Sequence, residues 1–427
     1  MLLHSGLVLL SRRDYPAAIF RGGVFVKYAE KGPIGVGFRR TCTVTSRSIN
    51  AEMGATSDEA VLASISQESR PVTAELPAAD PLGPVSALDV QVVRRLLNGE
   101  SIVDWRRLHV ADRAAAIQML TVNGFDLSEP SHRLRLNALR TRALDYIDDT
   151  FDIYIPVSVR RPPDTPQLIM LAAQGQRLER RGACVLLKVM HVLNHLDARR
   201  LASNLDLSER QLFELARAQV DSRVRAMNGA GLSVVRYQPS TKGDHSLLTK
   251  LISKPRVTAA QIFDKLRFRL VMSQRDQLIP AMRYLARHLF PLNHIIPGES
   301  HNTILSEAEV AAQLDRQVQG GIEPWHGAEV ETIESVNPAT AKNFRMIGFV
   351  VDLPVRVDAV ISPDQRQPYA SLGHLLYVTL EIQLSDEASY DQNQHGDANH
   401  EAYKQRQLAS VAKRLWGSDV PPIKRLK

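Results

Sequence analysis

The chain has 427 residues, of which 44% are hydrophobic and 23% are charged, and its formal net charge is +7 at pH 7. This length can supply two or three domains, each with its own core. The sequence has no run of 18 apolar residues, so we expect neither a membrane span nor a membrane partner. Only Cys42 and Cys184 are present, which indicates a reducing, cytoplasmic location without a disulfide framework. The positive charge fits a polyanionic partner such as a nucleotide or RNA, and it fits simple solubility equally well.

The first 84 residues do not show the pattern of a folded domain. Residues 1–50 contain eight Lys or Arg and two acidic residues, and Arg12 and Arg13 follow the apolar run at 7–10 rather than precede it. That order excludes a secretory signal, although a basic, acid-poor start resembles an organelle transit peptide. Residues 51–85 are rich in Ala, Ser, Pro and acidic residues, a composition typical of linkers. We expect residues 1–84 to form a disordered or loosely ordered tail and linker.

The next segment, residues 85–228, has the periodicity of an α-helical domain. Apolar residues recur at helical spacing, and the predicted helices lie at 85–97, 111–122, 134–147, 183–202 and 208–227. Prolines at 162, 163 and 166 predict a connector. Ser208 and Gln211 form a capping box that opens the last helix, and Asn228-Gly229 closes it.

One feature of the helical segment has the spacing of metal ligands. His191 and His195 are four residues apart and therefore share one face of the predicted helix at 183–202. The sequence supplies no evident third ligand. The alternative interpretation is that Asn194 and His195 cap the helix or face the solvent.

From residue 229 onward the pattern alternates between strands and helices. Predicted strands lie at 232–237, 263–272, 349–357 and 377–384, and predicted helical pieces at 246–253, 259–263, 273–289 and 401–416. This order predicts an α+β domain at 229–427, in which flanking helices cover a mixed sheet. The α-helical domain at 85–228 precedes it.

The segment 377–404 carries the most informative pattern in the chain. Strict alternation in the predicted strand at 377–384 places Glu381 and Gln383 on its polar face. After a polar loop, His400, Tyr403 and Lys404 share one face of a predicted helix. This arrangement suits phosphate and metal chemistry. It is also typical of a half-exposed edge strand followed by a surface helix.

These residues resemble the end of the RelA/SpoT synthetase domain, the enzymes that make the alarmone (p)ppGpp. That family has a Glu-x-Gln strand, a loop and a His-x-x-Tyr-Lys helix, matched here by residues 381–383 and 400–404. The predicted strand at 263–272 is similar to the family's strand with a metal-binding acid, with Asp264 and Arg269 in register. Residues 290–298 resemble the family's run into an Ile-Pro-Gly turn. The resemblance covers residues 232–415.

The resemblance implies a nucleotidyltransferase-like fold and Mg²⁺-dependent transfer of pyrophosphate from ATP to a nucleotide, GDP or GTP, or to an RNA hydroxyl. It implies that Asp264 and Glu381 hold the metal and are the catalytic residues. The implied nucleotide-binding residues are Lys242, Lys250, Arg256, Arg267, Arg269, Phe344, Gln383, His400, Tyr403 and Lys404. Asp264 can also be read as a turn residue whose carboxylate accepts backbone N–H groups, and Lys242 and Lys250 as solvated surface lysines.

The sequence departs from the family pattern where the acceptor is recognised. Phe344 stands in place of the family's base-stacking Tyr, and residues 346–348 read Met-Ile-Gly instead of Ser-Leu-His. Leu384-Ser385 follows Gln383, where the family has Arg-Thr. These differences weaken the expectation of a guanosine acceptor. They leave open a second function, a catalytically degenerate module that binds nucleotide or RNA.

Overall fold

The computed structural model describes residues 85–98, 108–151, 153–253, 263–315, 343–358, 360–395 and 400–417. The predicted tail at 1–84, Arg256 and nearly all of the predicted helical piece at 259–263 lie outside these residues. The described residues all belong to one compact unit.

Helices occupy the described chain before its first strand. They are α1 Ala87–Asn98, α2 Arg113–Val122, α3 Pro130–Thr150, α4 Val157–Arg160, α5 Thr165–Gln174, α6 Arg177–Asn204 and α7 Glu209–Gly229. Several of these helices begin at a short polar side chain that caps the first turn. Asp112 accepts from the backbone N–H of Ala115 at 2.8 Å, and Ser208 forms the predicted capping box with Gln211.

The proline-rich connector predicted near residue 162 contains more regular structure than expected. It includes the single turn α4 and most of the first turn of α5, which Asp164 caps through the N–H of Gln167 at 2.9 Å. Pro166 lies in the first turn of α5. A proline there loses no helical hydrogen bond, so it starts a helix rather than interrupting one.

Five strands form one mixed sheet, which confirms the predicted α+β class. They are β1 Val234–Thr241, β2 Leu266–Met272, β3 Ile295–Asn302, β4 Ile347–Arg356 and β5 Leu375–Asp386. The strand order is β1-β2-β5-β4-β3. β2 and β5 are parallel, and the other neighbouring pairs are antiparallel.

The remaining helices lie between and after the strands. They are α8 Asp244–Ser253, α9 Leu278–His288, α10 Glu307–Asp315, α11 Pro363–Arg366, α12 Glu387–Asn393 and α13 His400–Trp416. Strand β3 was not predicted, because its sequence looks like a turn. Gly298 has φ of 77°, and the pairing with β4 shifts register between Ile295 and Ser300, which breaks the alternation that identifies a strand.

The sheet separates an apolar face from a polar face. On the apolar face, Phe268 of β2 and Ile382 of β5 are fully buried. Helix α7 covers this side, since the ring of Tyr237 stacks on Phe268 while its hydroxyl donates to Asp221 of α7 at 2.5 Å. The polar face therefore presents the alternate residues of β2 and β5.

The helices before β1 share one hydrophobic core with the sheet. Buried Asp89 of α1 accepts from Arg287 Nε of α9 at 2.7 Å and from Arg283 Nη2 at 3.2 Å. Asn194 of α6 donates to the hydroxyl of Tyr377 on β5 at 2.6 Å. The domain division near residue 229 stays a prediction. Within the described residues, no helix has both the length and the apolar character required to cross a bilayer.

Candidate active site

Asp264 lies in a turn two residues before β2, and not within the strand as predicted. Its carboxylate contacts three cations. Lys250 Nζ lies 2.6 Å from Oδ1, Arg267 Nη2 lies 3.0 Å from Oδ2, and Lys242 Nζ also contacts Oδ2. The Asp264 side chain is 12% exposed. A buried carboxylate needs such partners, because desolvation without them is costly.

The two lysines come from different elements that meet beside Asp264. Lys242 directly follows β1 and donates its backbone N–H to Lys265 O at 2.8 Å, which continues the pairing of β1 with β2. Lys250 lies in the last turn of α8. Neither lysine is a solvated surface residue, since their side chains are 23% and 16% exposed.

The charge state of Asp264 follows from these neighbours. Burial alone would raise the pKa of Asp264, but the charges of Lys242 and Lys250 outweigh it, and the pKa lies below its ordinary value. Burial lowers the pKa of Lys242, and the nearby charge of Lys250 adds to this effect. The carboxylate is therefore ionised at neutral pH and is available as a hard oxygen ligand.

Glu381 faces the same group of charges from the neighbouring strand. The parallel register pairs Arg267 with Glu381, and Arg267 Nε donates to Glu381 Oε2 at 2.7 Å. Gln383 Nε2 donates to the other carboxylate oxygen at 2.8 Å. One guanidinium thus contacts both Asp264 and Glu381, so the two carboxylates lie side by side on the polar face.

A second set of polar residues extends this face toward β1. Arg269 Nη2 donates to Gln383 Oε1 at 3.0 Å, and Gln238 of β1 donates to the hydroxyl of Tyr390 at 3.3 Å. The guanidinium of Arg236 lies 5.3 Å from the centre of the Tyr390 ring. Sequence reasoning predicted Arg269 and Gln383 but missed Arg236, Gln238 and Tyr390. Polar residues at 236, 238 and 240 could have indicated this face, but Tyr390 lies in α12, which was predicted as a loop.

The predicted residues of α13 divide between the site and the solvent. Tyr403 is half-buried and close enough to Arg267 to contribute to the raised pKa of that guanidinium. The Tyr403 hydroxyl accepts from Gln407 Nε2 at 3.2 Å. Lys404 is exposed and has no ion pair within the described part of the chain. His400 is the first residue of α13, and only its backbone is described.

Phe344 lies away from the carboxylates. It precedes β4, whose first residue, Ile347, pairs with Leu384, three residues beyond Glu381. Among the described residues its ring makes no aromatic or cation–π contact, and its carbonyl accepts from Thr303 Oγ1 at 3.0 Å. Gly348 instead lies beside the site, because a Cβ there would be 3.9 Å from Glu381 Oε1 and 2.7 Å from the Met346 methyl group.

Comparisons with known proteins give structural neighbours but no family. A scan of protein-family models finds no match, and no curated protein matches the sequence. The small alarmone synthetase 2 from Bacillus subtilis has a TM-score of 0.25 and 13% identity, and the match covers 47% of this chain and 86% of that one. The small alarmone synthetase 1 from Bacillus subtilis, bound to its product pppGpp, has a TM-score of 0.26 and 14% identity, with 48% and 87% covered. A GTP pyrophosphokinase family protein from Streptococcus pneumoniae has a TM-score of 0.25 and 10% identity, with 49% and 89% covered. At these values the likeness assigns no activity to the chain.

Proposed function

We propose that this chain transfers pyrophosphate from ATP to a hydroxyl group of a nucleotide or of RNA, with Mg²⁺ as the cofactor. The observation that carries the proposal is the guanidinium of Arg267, which bridges Asp264 and Glu381 beside two lysines. In this reaction the acceptor oxygen bonds to the β-phosphorus of ATP, the bond from that phosphorus to the α-phosphate oxygen breaks, and AMP leaves. Such chemistry depends on positioned phosphates and compensated charge.

The residues present fit a magnesium ion. Asp264 and Glu381 each offer carboxylate oxygens, the ligands that Mg²⁺ prefers, and both side chains retain 12% exposure. These two carboxylates would hold the ion. When bound, it would neutralise phosphate charge that develops during transfer.

The cations of the site have a second role in this proposal. Lys242, Lys250 and Arg267 pair with the carboxylates when no phosphate is bound. Their donors can turn to the triphosphate, where charge-assisted hydrogen bonds are strong. Arg269 lies next to Arg267 on the same face of β2 and extends the positive surface. Glu381 then accepts a hydrogen bond from the acceptor hydroxyl, orients it for attack and takes up its proton as the new bond to phosphorus forms.

A product assay tests this function. We expect the purified chain to convert ATP and Mg²⁺ to AMP, together with a pyrophosphorylated product, in the presence of GDP, GTP or RNA. Glu381→Gln should lower the rate by at least about 100-fold, because the carboxylate contributes roughly 3 kcal/mol or more in the transition state. Glu209→Gln is the matched control, since Glu209 also pairs with a lysine, Lys265, but is 60% exposed.

A second function, a module that binds nucleotide or RNA without turnover, is favoured by one observation. The site already compensates its own charge: three cations contact Asp264, and Arg267 and Gln383 satisfy Glu381. This module would bind ATP without making AMP, and Mg²⁺ would not change its affinity. If no product forms with any acceptor, and if the affinity for ATP is the same with and without Mg²⁺, the chain is a binding module and not an enzyme.

A further inference from the structure

Three histidines meet where α6 approaches the sheet. His191 and His195 lie on α6, and His294 ends the short 3₁₀ turn Leu292–His294 that leads into β3. One nitrogen from each ring lies within 4.8 Å of one from each of the others. The structure thus supplies the third imidazole that the sequence pattern lacked, from a residue about 100 positions away in the chain.

The rings are packed together around Tyr377 of β5. The His195 ring stacks on Tyr377 with a centroid distance of 3.9 Å and an interplanar angle of 11°, and the His294 ring lies 4.9 Å from Tyr377. The ring centres of His191 and His195 are 4.5 Å apart. His294 is buried, and the other two are half-buried. This packing holds the three rings in place before any ligand arrives.

The imidazoles are neutral at physiological pH. Burial lowers the pKa of His191 to about 4, and burial with the neighbouring His191 lowers the pKa of His195 to about 3. Burial also places the pKa of His294 well below its ordinary value. A neutral imidazole keeps a free electron pair on one nitrogen, which is the form that binds metals.

The hydrogen bonds around the rings decide which nitrogens can bind a metal ion. His195 Nε2 is buried and has no hydrogen-bond partner among the described residues. His294 Nδ1 lies 3.1 Å from Asp352 O, and its Nε2 lies 3.0 Å from Asn123 Oδ1. A neutral ring can donate to only one of these two oxygens.

The orientation of the Asn123 amide is fixed by the N–H that it donates to Met119 O at 2.7 Å. Its oxygen therefore faces His294. If His294 donates from Nδ1 to Asp352 O, its Nε2 is unprotonated, and a metal ion bound there would displace the Asn123 oxygen that now lies 3.0 Å away. Donation of the second ring nitrogen to a backbone carbonyl is the usual arrangement of a metal-bound histidine. At His191, the amide of Asn293 donates to Nδ1 at 3.0 Å, so that nitrogen is unprotonated, and a metal ion bound there would displace this hydrogen bond.

We propose that His191, His195 and His294 bind one divalent transition-metal ion of the Zn²⁺ class, with a fourth position open to water. Three nitrogen ligands favour zinc and its neighbours over Mg²⁺ or Ca²⁺, which prefer oxygen. Zinc–nitrogen bonds of about 2.0–2.1 Å place the ligand nitrogens of a tetrahedral site roughly 3.3 Å apart. The nitrogens now lie within 4.8 Å of one another, so metal binding would require the three side chains to rotate toward the ion.

The site is separate from the carboxylates. A surface cavity of ≈ 320 Å³ lies next to α6 and is lined by Asn194, which lies between the two helical histidines in sequence, and by Arg135, but by none of the three histidines. Tyr377 precedes Glu381 by four residues on one strand, which corresponds to about 13 Å. The metal would link α6 to the turn before β3, and would stabilise the contact between the helices and the sheet.

Metal titration of the full chain tests this site. After treatment with a chelator, the wild type should bind one equivalent of Co²⁺ with the visible absorption of a tetrahedral ion, and Zn²⁺ should displace it. Zn²⁺ should also raise the thermal unfolding midpoint. His191→Gln and His195→Gln should each weaken Co²⁺ binding by more than about 100-fold, beyond the loss expected for a supporting hydrogen bond. His109→Gln, at an exposed histidine, should bind as the wild type does.

The two helical histidines are the variants of choice because they are only half-buried, and circular dichroism checks that the variants are folded. The proposal is wrong if the wild type shows neither a tetrahedral Co²⁺ spectrum nor a Zn²⁺-dependent midpoint. It is also wrong if both variants, once shown to be folded, bind Co²⁺ with the affinity of the wild type.

Discussion

The polar face of β5 carries two polar clusters of opposite electrostatic character. Around Glu381, two carboxylates are paired with lysine and arginine side chains. Around Tyr377, three histidines are packed together without charge. Burial disfavours charge in both clusters, yet the groups are charged in one and neutral in the other.

The difference shows what decides the charge of a buried group. Burial is the largest influence on the pKa of Asp264 and of His195. At Asp264, two lysines reverse its effect. At His195 the neighbouring His191 adds to it, so the neutral form prevails. The first cluster can therefore exchange its internal ion pairs for a charged ligand, whereas the second offers neutral electron pairs.

Removing the central charge of the first cluster should have the largest effect on stability. In Asp264→Asn, three cations lose their common partner. We expect the free energy of unfolding in urea to fall by about 3–5 kcal/mol, as for a broken buried ion pair. Asp148→Asn is the control, because the Asp148–Arg160 pair is exposed and should contribute at most about 1 kcal/mol.

The same variant distinguishes exchangeable ion pairs from a purely structural cluster. If Lys242 and Lys250 can exchange Asp264 for a phosphate group, removing the Asp264 charge leaves both lysines free to bind phosphate. In the absence of Mg²⁺, Asp264→Asn should then bind inorganic triphosphate more tightly than the wild type does. Calorimetric titration measures this affinity. Equal or weaker binding by the variant would show that the cations serve only to stabilise the fold.

A lysine of the first cluster should contribute to nucleotide affinity. Lys250→Met keeps the aliphatic stem but removes the charge, and we expect the affinity for ATP to drop by roughly 10–100-fold, the contribution of a charged hydrogen bond. Lys413→Met is the matched control, because Lys413 is exposed on α13, which packs against α8. If both variants bind ATP equally, Lys250 does not contact the triphosphate.

Sequence reasoning reached the carboxylate cluster because its signals are local. Alternation identified β5 and the polar position of Glu381, and the resemblance selected Asp264 as its partner. The parallel pairing of β2 with β5 then brings Arg267 opposite Glu381. The prediction that Asp264 lies within the strand was wrong, because β2 begins only at Leu266. Asp264 lies two residues before Leu266, so it has the spacing of the next strand position although it belongs to a turn.

The histidine cluster could be predicted only in part. His191 and His195 share a helix, so their spacing is visible in the sequence. His294 belongs to a turn that joins them through the packing of α6 on the sheet, which no short-range pattern encodes. Two elements were also missed, each for a local reason. A register shift hides the alternation of β3, and the mostly polar sequence of α12 was predicted as part of a loop.

The pH dependence of stability should separate the two clusters. The histidines have lowered pKa values in the folded chain, about 4 for His191 and about 3 for His195, against 6.5 in the unfolded chain. Between pH 6.5 and 4 the unfolded chain binds more protons, so the free energy of unfolding decreases as the pH falls. His195→Gln removes one of the groups that bind a proton on unfolding. For this variant, the change in the free energy of unfolding with pH should be smaller by up to about 1.4 kcal/mol per pH unit.

The groups that face these rings are Tyr377 from β5, Asn293 beside His191, and the Asp352 carbonyl with Asn123 around His294. The pH range of the effect follows from burial of the rings and from the charge of His191 beside His195. Asp264 acts in another range, because its lowered pKa gives stability that is lost only as the pH falls below its ordinary value of 3.8. Urea unfolding from pH 7 to 4 measures the slope, with His109→Gln as the control. Identical slopes in wild type and His195→Gln would mean that the pKa of His195 does not differ between the folded and the unfolded chain.

The smallest effect is expected for Tyr377→Phe, which tests whether the two clusters act independently. The variant keeps the ring that stacks on His195 but removes the hydroxyl that accepts from Asn194 at 2.6 Å. Asn194 retains its bond from Arg135 Nη2 at 3.2 Å, so only one donor loses its partner, and we expect a loss of about 1 kcal/mol in the free energy of unfolding. Turnover should not change, because Tyr377 contacts neither carboxylate. Tyr154→Phe, at a residue that is 73% exposed, should alter neither quantity. A large loss of turnover in Tyr377→Phe would show instead that the histidine cluster and the carboxylates are coupled along β5.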